Sequence, residues 1–550
     1  MQNSSSTNVP SDPGKLPTCV QYRIASSGEL ADVEKVVEVK GPSDSPIGAS
    51  TGRDKNDKHD PIIDVQGEAL STNKFLVWTY RLERLLGFET RGIHRVKSRD
   101  QTDKTTLSFL QIVMMWFSIN TAAQNVTLGS LGQSVFELGF VDATVCSVLG
   151  GLVGTIPVAY TAGWGPWSGN RTMICARFSM GWWPVKLCVL LNLVILIGYA
   201  MIDAVVAGQI LSAVSSNGSV SVEVGIVITA VLTFIVTTFG IRFFHHYERY
   251  AWIPSIIIFF ILLGTTARNY DTQTPSIATG RTLMGNRLSF FSVCLSAAIT
   301  YSPGAADFLV YCNPQRASRL KVALATMIGL GLSFTLCFII GCGLSATSRF
   351  AEEAGSGALL VAGFSSLDKF GSFCSVLTAL GLIANMVPPV YSSGIDFQIL
   401  GRYTAIVPRF LWNTVAVIIF MVCALAGKNS LSEIFTNFLA LMGYWVVLWI
   451  AITLEEEFIF RPIPALSEDG RFNWIDWNVQ ERLPIGLAAL TAFLLGWVGA
   501  ILCMAQVYYI GPIAKEVGDF GADMGNYVGF ALAAVIYAPL RWLEIRKFGR

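Results

Sequence analysis

The stretch Met114-Met115-Trp116-Phe117-Ser118-Ile119-Asn120-Thr121-Ala122-Ala123-Gln124-Asn125 begins as an apolar helix and turns polar halfway along. A second stretch, Ala297-Ala298-Ile299-Thr300-Tyr301-Ser302-Pro303-Gly304-Ala305-Ala306-Asp307, does the same. There Pro303 lacks a backbone N–H, Gly304 is a poor helix former, and Ser302 offers the backbone another hydrogen-bond partner. Each stretch lies inside an apolar run of the length, about 20 residues, that crosses a bilayer. Polar groups within lipid are costly, so such interruptions face a packed interior or a cavity. Two helices interrupted at mid-membrane, five spans apart, predict two five-helix repeats of opposite topology, with a binding site at the breaks. A proline kink in a packed helix is the plainer reading of either stretch alone.

Outward from these two stretches, spanning runs fall near 107–129, 134–160, 184–212, 221–240, 250–267, 287–310, 320–343, 356–381, 403–426, 433–453, 484–510 and 524–540. This predicts an all-α polytopic membrane protein of about twelve helices. Composition agrees: 52% of the 550 residues are hydrophobic and 14% charged, against roughly 25% charged in soluble domains. The 34 Phe, 16 Tyr and 14 Trp suit lipid-facing surfaces and interfacial belts. A net charge of +1 gives no basic excess to recruit nucleic acid. The 11 cysteines are scattered through apolar runs, as buried thiols and not as a disulfide or zinc pattern. No HExxH or GxSxG motif supplies an intramembrane enzyme, and no carbonyl filter or ring of charge supplies a channel. No cofactor or metal site is expected.

Residues 1–104 read as a cytosolic tail. Its first 73 residues are rich in Ser, Asp, Gly and Pro, without hydrophobic periodicity, and predict disorder. They contain no signal-peptide core. Arg81, Arg84, Arg91, Arg95, Lys97, Arg99 and Lys104 then precede the first span, which places the N-terminus in the cytosol. The transporter domain runs over 105–540, and a basic tail, 541–550, follows it on the same side. Asn217-Gly218-Ser219 falls on the outer face as a possible N-glycosylation sequon.

The third span adds a polar face. Asn192, Tyr199 and Asp203 are spaced by seven and four residues and share one side of a helix. Asp203 is far from either end, where a lone carboxylate takes up a proton or finds a hydrogen-bonding partner. It reads either as an interhelical hydrogen bond or as a ligand or proton site. Asn385, before Pro388 and Pro389 in the eighth span, can donate and accept at a heterocycle edge, or cap a broken helix.

These residues resemble the purine–cytosine permeases of fungi, in the nucleobase cation symporter-1 family. The likeness runs from about Trp78 to Arg550. It includes Trp116-Phe117-Ser118 with Asn120, Leu138-Gly139-Phe140-Val141-Asp142-Ala143, Tyr247-Glu248-Arg249-Tyr250-Ala251-Trp252-Ile253-Pro254, Ala305-Ala306-Asp307 and Ile383-Ala384-Asn385. It continues through Met442-Gly443-Tyr444-Trp445, Tyr508-Tyr509-Ile510-Gly511-Pro512 and Pro539-Leu540-Arg541. Order and spacing along the whole membrane part give the combination its weight.

The resemblance implies a LeuT-type fold, two inverted five-helix repeats plus two extra helices. It also implies a secondary transporter of the plasma membrane that imports cytosine or a purine with a proton. In the family the base sits between an aromatic of span three and one of span six, matched here by Tyr199 and Tyr301. The matching polar contacts are Ser118, Asp203 and Asn385, with Asp203 and Asp307 as carboxylates for proton coupling. Both aromatics are usually Trp and the span-three polar residue Asn, so Tyr199, Tyr301 and Asp203 depart from the pattern together. That opens the identity of the heterocycle. Pyridoxine carriers belong to the same wider family, and a vitamin B6-like ring is the alternative substrate; a non-transporting sensor is a further one.

Overall fold

The computed structural model describes residues 92–97, 101–102, 106–215, 219–239, 252–347, 356–463, 466 and 471–550. Among them eight helices are long and apolar enough to cross a membrane, and four shorter apolar helices accompany them. These match the twelve expected runs in order. The first run is two helices, α1 (Phe109–Asn120) and α2 (Ala123–Ser134), followed by α3 (Phe140–Ala162), α4 (Val185–Val214), α5 (Val222–Phe239) and α6 (Trp252–Thr266). The sixth run is α7 (Gly280–Ile299) with a 3-10 segment, Ser302–Phe308; α8 (Arg319–Ser345), α9 (Ser356–Gly363) and α10 (Asp368–Ile399) follow. The chain ends with α11 (Arg409–Gly427), α12 (Leu431–Glu455), α13 (Leu487–Cys503) and α14 (Gly525–Phe548). The Asn217 sequon and nearly all of 1–104 lie outside the described residues.

Both interruptions are where the sequence places them, and the polar residues hold them open. α1 begins with a capping box: the Ser108 hydroxyl accepts from the Gln111 N–H at 3.3 Å, and the Gln111 side chain accepts from the Ser108 N–H at 2.8 Å. It ends at Thr121, whose hydroxyl donates to the Phe117 carbonyl. The Asn125 amide reaches back to the Asn120 carbonyl at 2.7 Å and to its side-chain oxygen at 3.0 Å. These side chains add to the backbone N–H groups of Thr121 and Ala122, which reach the Phe117 and Asn120 carbonyls at 2.9 and 3.0 Å, and so brace the end of the helix. In the sixth span, Pro303 sits in the first turn of the 3-10 segment, where a missing N–H is harmless.

Polarity is arranged inside out. On α3, Val141, Val145, Leu149 and Ile156 are exposed and form the lipid-facing stripe. Gly150 and Gly154 face α7 instead. A Cβ on Gly154 would lie 2.5 Å from the Leu295 carbonyl, and one on Gly150 2.6 Å from that of Phe291. Only glycine allows the two backbones this close, as small residues do at membrane helix interfaces.

Two expected boundaries are corrected. The eighth span was placed near 356–381, but 356–363 is the separate helix α9 and the long helix is α10. Pro388 and Pro389 lie within α10 and do not end it, so Asn385 caps no helix. The run 484–510 also stops early: α13 ends at Cys503 and a short antiparallel hairpin pairs Ala505 with Ile510 and Gln506 with Tyr509.

Candidate functional site

α4, α10 and the two breaks converge on a cavity. The first break contributes Ile119 and Gln124, and the sixth span Thr300, Tyr301, Gly304 and Phe308. α4 contributes Asn192 and Tyr199 with two aliphatic neighbours; α10 contributes Asn385, Pro388, Pro389 and Ser392. The walls are largely apolar with a few placed polar groups, the usual make-up of a small-molecule site. Pro388 and Pro389 have no N–H, so the carbonyls four residues earlier, of Ala384 and Asn385, lose their helical donors beside the cavity.

The tyrosines face each other across it. Their ring centroids are 6.0 Å apart and the planes 35° from parallel. A flat ring needs about 3.5 Å on each face, so a sandwich needs about 7 Å between centroids. At 6.0 Å the pair is about 1 Å short of that spacing. Tyr199 is anchored at its hydroxyl, 2.6 Å from Thr300 Oγ1 and donating to the Ala297 carbonyl at 3.1 Å. Tyr301 is steadied by the edges of Trp116 and Phe334, at 6.3 and 6.4 Å. A Cβ on Gly304 would meet nothing within 4 Å, leaving the floor beside Tyr301 open.

The expected site residues do not all gather here. Tyr199, Tyr301 and Asn385 line the cavity. Asp203 is fully buried behind it, accepting from the Asn385 amide at 3.0 Å, so it reaches a ligand only through that amide. Ser118 lies on α1 one turn before the break and is not part of the lining. Asp307 is bound to the chain that follows the second span: its Oδ1 accepts from the Thr172 N–H at 2.7 Å and hydroxyl at 3.0 Å. The Arg171 guanidinium donates to its carbonyl at 2.7 Å.

Gln124 lines the cavity without having been expected there, as do Thr300 and Ser392. Gln124 is 1% exposed, and neither of its amide atoms has a hydrogen-bond partner. Buried carboxamides are nearly always paired, so this one marks a place for a ligand or water. The signal was the polar cluster itself, but the unwound turn resets helical phase. Spacing from Ser118 and Asn120 therefore does not say which later residue points inward.

A binding cavity at two opposed helix breaks is the architecture of a secondary transporter. The fold resembles that of Mhp1 in its inward-facing conformation, with a TM-score of 0.65 and 12% identity over 83% of this chain and 94% of that one. A closed form of Mhp1, described as a nucleobase-cation-symport-1 family transporter with bromovinylhydantoin bound, matches at 0.64 and 12% identity over 84% and 96%. This is the LeuT-type arrangement of two inverted repeats. Residues 100–516 match the family model for permeases of cytosine/purines, uracil, thiamine and allantoin, and the chain belongs to that family. Purine-cytosine permease fcyB of Emericella nidulans is 35% identical over 480 residues, 86% of this chain and 91% of that one. The vitamin B6 transporter TPN1 of Saccharomyces cerevisiae is 31% identical over 526 residues, 86% and 90% of the two chains.

Proposed function

We propose that the protein is a proton-coupled symporter that imports a nucleobase, cytosine or a purine, across the plasma membrane with both termini in the cytosol. The observation that carries the reading is the cavity, where Tyr199 and Tyr301 face each other and the unpaired Gln124 amide supplies a donor and an acceptor to one edge of a flat ring. Aromatic stacking holds any such ring, at roughly 1–3 kcal/mol per base. Gln124 then selects rings with a neighbouring donor and acceptor, a pattern found in cytosine, adenine and hypoxanthine. Membership of the permease family and the likeness to fcyB support the substrate class. Asp203 and Asn385 form a polar pair directly behind the ring site, suited to linking a proton to ligand binding. The Arg and Lys residues before the first span and in the tail 541–550 support the orientation.

Pyridoxine is the second reading. TPN1 is nearly as similar as fcyB, and Tyr199, Asp203 and Tyr301 replace the aromatic and amide residues usual in nucleobase carriers. The test is labelled uptake in cells lacking their own permeases, with cytosine, adenine, hypoxanthine, uracil and pyridoxine at two external pH values. Saturable nucleobase uptake abolished by a protonophore is expected. Pyridoxine uptake without nucleobase uptake or competition would transfer the assignment to the vitamin.

A further inference from the structure

Two carboxyl–carboxamide pairs cross between α4 and α10, in opposite senses. The α4 residue Asp203 accepts from Asn385 of α10 at 3.0 Å. The α4 residue Asn192 donates to Asp396 of α10 at 2.6 Å. On each helix the two partners are eleven residues apart, roughly 16 Å along the axis. The cavity lies between the pairs: on α4 its lining runs from Asn192 to Tyr199, and on α10 from Asn385 to Ser392, one turn short of Asp396. Both carboxyls are buried, Asp203 at 0% exposure and Asp396 at 2%.

Each pair also leaves an acceptor without a donor. Asn192 gives its Nδ2–H to Asp396, while its own Oδ1 is buried and unpartnered; at the other pair Asp203 Oδ1 is the unpartnered atom. An ionised carboxyl is acceptor-only and has nothing to offer such an atom. A protonated one gains an O–H, and an acid and an amide then pair through two hydrogen bonds. Among the described residues Asp396 has no cationic partner. Arg409, on α11, has its guanidinium 4.0 Å over the Tyr391 ring, and Arg171 donates to the Asp307 carbonyl. Asp307, at the end of the sixth span, is the other carboxyl close enough to act on Asp396 electrostatically.

We propose that the Asn192–Asp396 pair is a second proton-binding site, at the end of the cavity opposite Asp203–Asn385. The inference rests on proton-coupled transport through this cavity. Asp396 then takes a proton when the ligand is held and releases it on the side facing the Asp396 end of α10, with Asn192 accepting the O–H while it is bound. One proton enters and one leaves, and no bond in the ligand changes.

The test compares the intact protein with Asp396→Asn, Asp396→Glu and Asp203→Asn in the same cells, using labelled cytosine, or labelled pyridoxine if that is what the wild type carries. Accumulation under an imposed pH difference and exchange of label at equal pH are both read. One coupled proton supports about tenfold accumulation per pH unit. Asp396→Asn is expected to exchange label but to lose that accumulation, and Asp396→Glu to restore most of it. Should Asp396→Asn be retained inside the cell, equilibrium binding to its solubilised membranes carries the test. Wild-type affinity is then expected to change with pH, and the variant's affinity to change less steeply. Full pH-driven accumulation in Asp396→Asn, or binding as steeply pH-dependent as the wild type's, would overturn the site, as would a wild type indifferent to pH and protonophore. A wild type that carries pyridoxine alone would overturn only the substrate reading.

Discussion

Gln124 is the residue through which the site makes its sharpest prediction. Both its amide atoms are buried and unpartnered beside the cavity. A two-point contact of a carboxamide with a base edge discriminates by about 1–3 kcal/mol, roughly 5- to 150-fold. Gln124→Leu is therefore expected to weaken competition by adenine or hypoxanthine over that range, with little change for unsubstituted purine, which offers no exocyclic partner. Competition constants for the three compounds check this. A uniform loss for all of them, or none, would return Gln124 to a packing role. Tyr199 was legible because an intact helix keeps phase, so it stays one turn from Asp203 on a shared face; Tyr301, at the break, was legible through the family resemblance, and Asn385 as an amide beside the prolines. Asp203 was legible as a buried carboxyl, but not as lying behind Asn385, because that depends on how α10 rotates against α4. Asp396 was not singled out at all: its role comes from a partner 204 residues away, Asn192.

At the scale of the helix, the breaks and the prolines behave differently from one another. Asn120, Asn125 and Thr121 make the first break, and side chains of that type could be read from the sequence as competitors of the helix. Pro388 and Pro389 looked equally disruptive, yet α10 runs through them; in membrane helices neighbouring groups satisfy the freed carbonyls. The start of α10 was displaced because α9 is apolar enough to imitate the beginning of a span. Two glycines separate site from scaffold. Gly304→Ala places its methyl in open space beside Tyr301, so surface expression is expected to stay normal while ligand affinity falls. Gly154→Leu drives a side chain into the Leu295 carbonyl, where a Cβ already lies at 2.5 Å. Overpacking of this kind destabilises by about 1–3 kcal/mol or more. Expression and thermal stability are expected to drop in Gly154→Leu, and the reverse ordering of the two variants would contradict the assignment of α3–α7 as scaffold.

For the whole molecule, one charged group outside the spans ties several elements together. Asp523, in the loop before α14, accepts from the Tyr444 hydroxyl at 2.8 Å, the Gln506 amide at 3.1 Å and the Gly525 N–H at 3.0 Å. Burial nonetheless pushes its carboxyl up to about 6, because the loss of water outweighs these donors. The folded state then holds a proton that the unfolded chain, with an ordinary carboxyl near 4, does not hold between those two values. Stability contributed by this group therefore rises as pH falls from about 6 to 4, by about 3 kcal/mol at most, and is absent above 7. In detergent, the melting temperature of the wild type relative to Asp523→Asn is expected to increase across that window. A constant difference from pH 4 to 7 would mean that Asp523 titrates normally.

The family, the fold and the cavity meet in one claim, that a flat heterocycle sits between Tyr199 and Tyr301. A structure of the protein with cytosine or hypoxanthine bound tests it most directly. The ring is expected between the two tyrosines, their centroids widened from 6.0 Å to about 7 Å, with the Gln124 amide on the edge of the base. A base bound elsewhere, or a tyrosine pair still closed beside an occupied site, would contradict it.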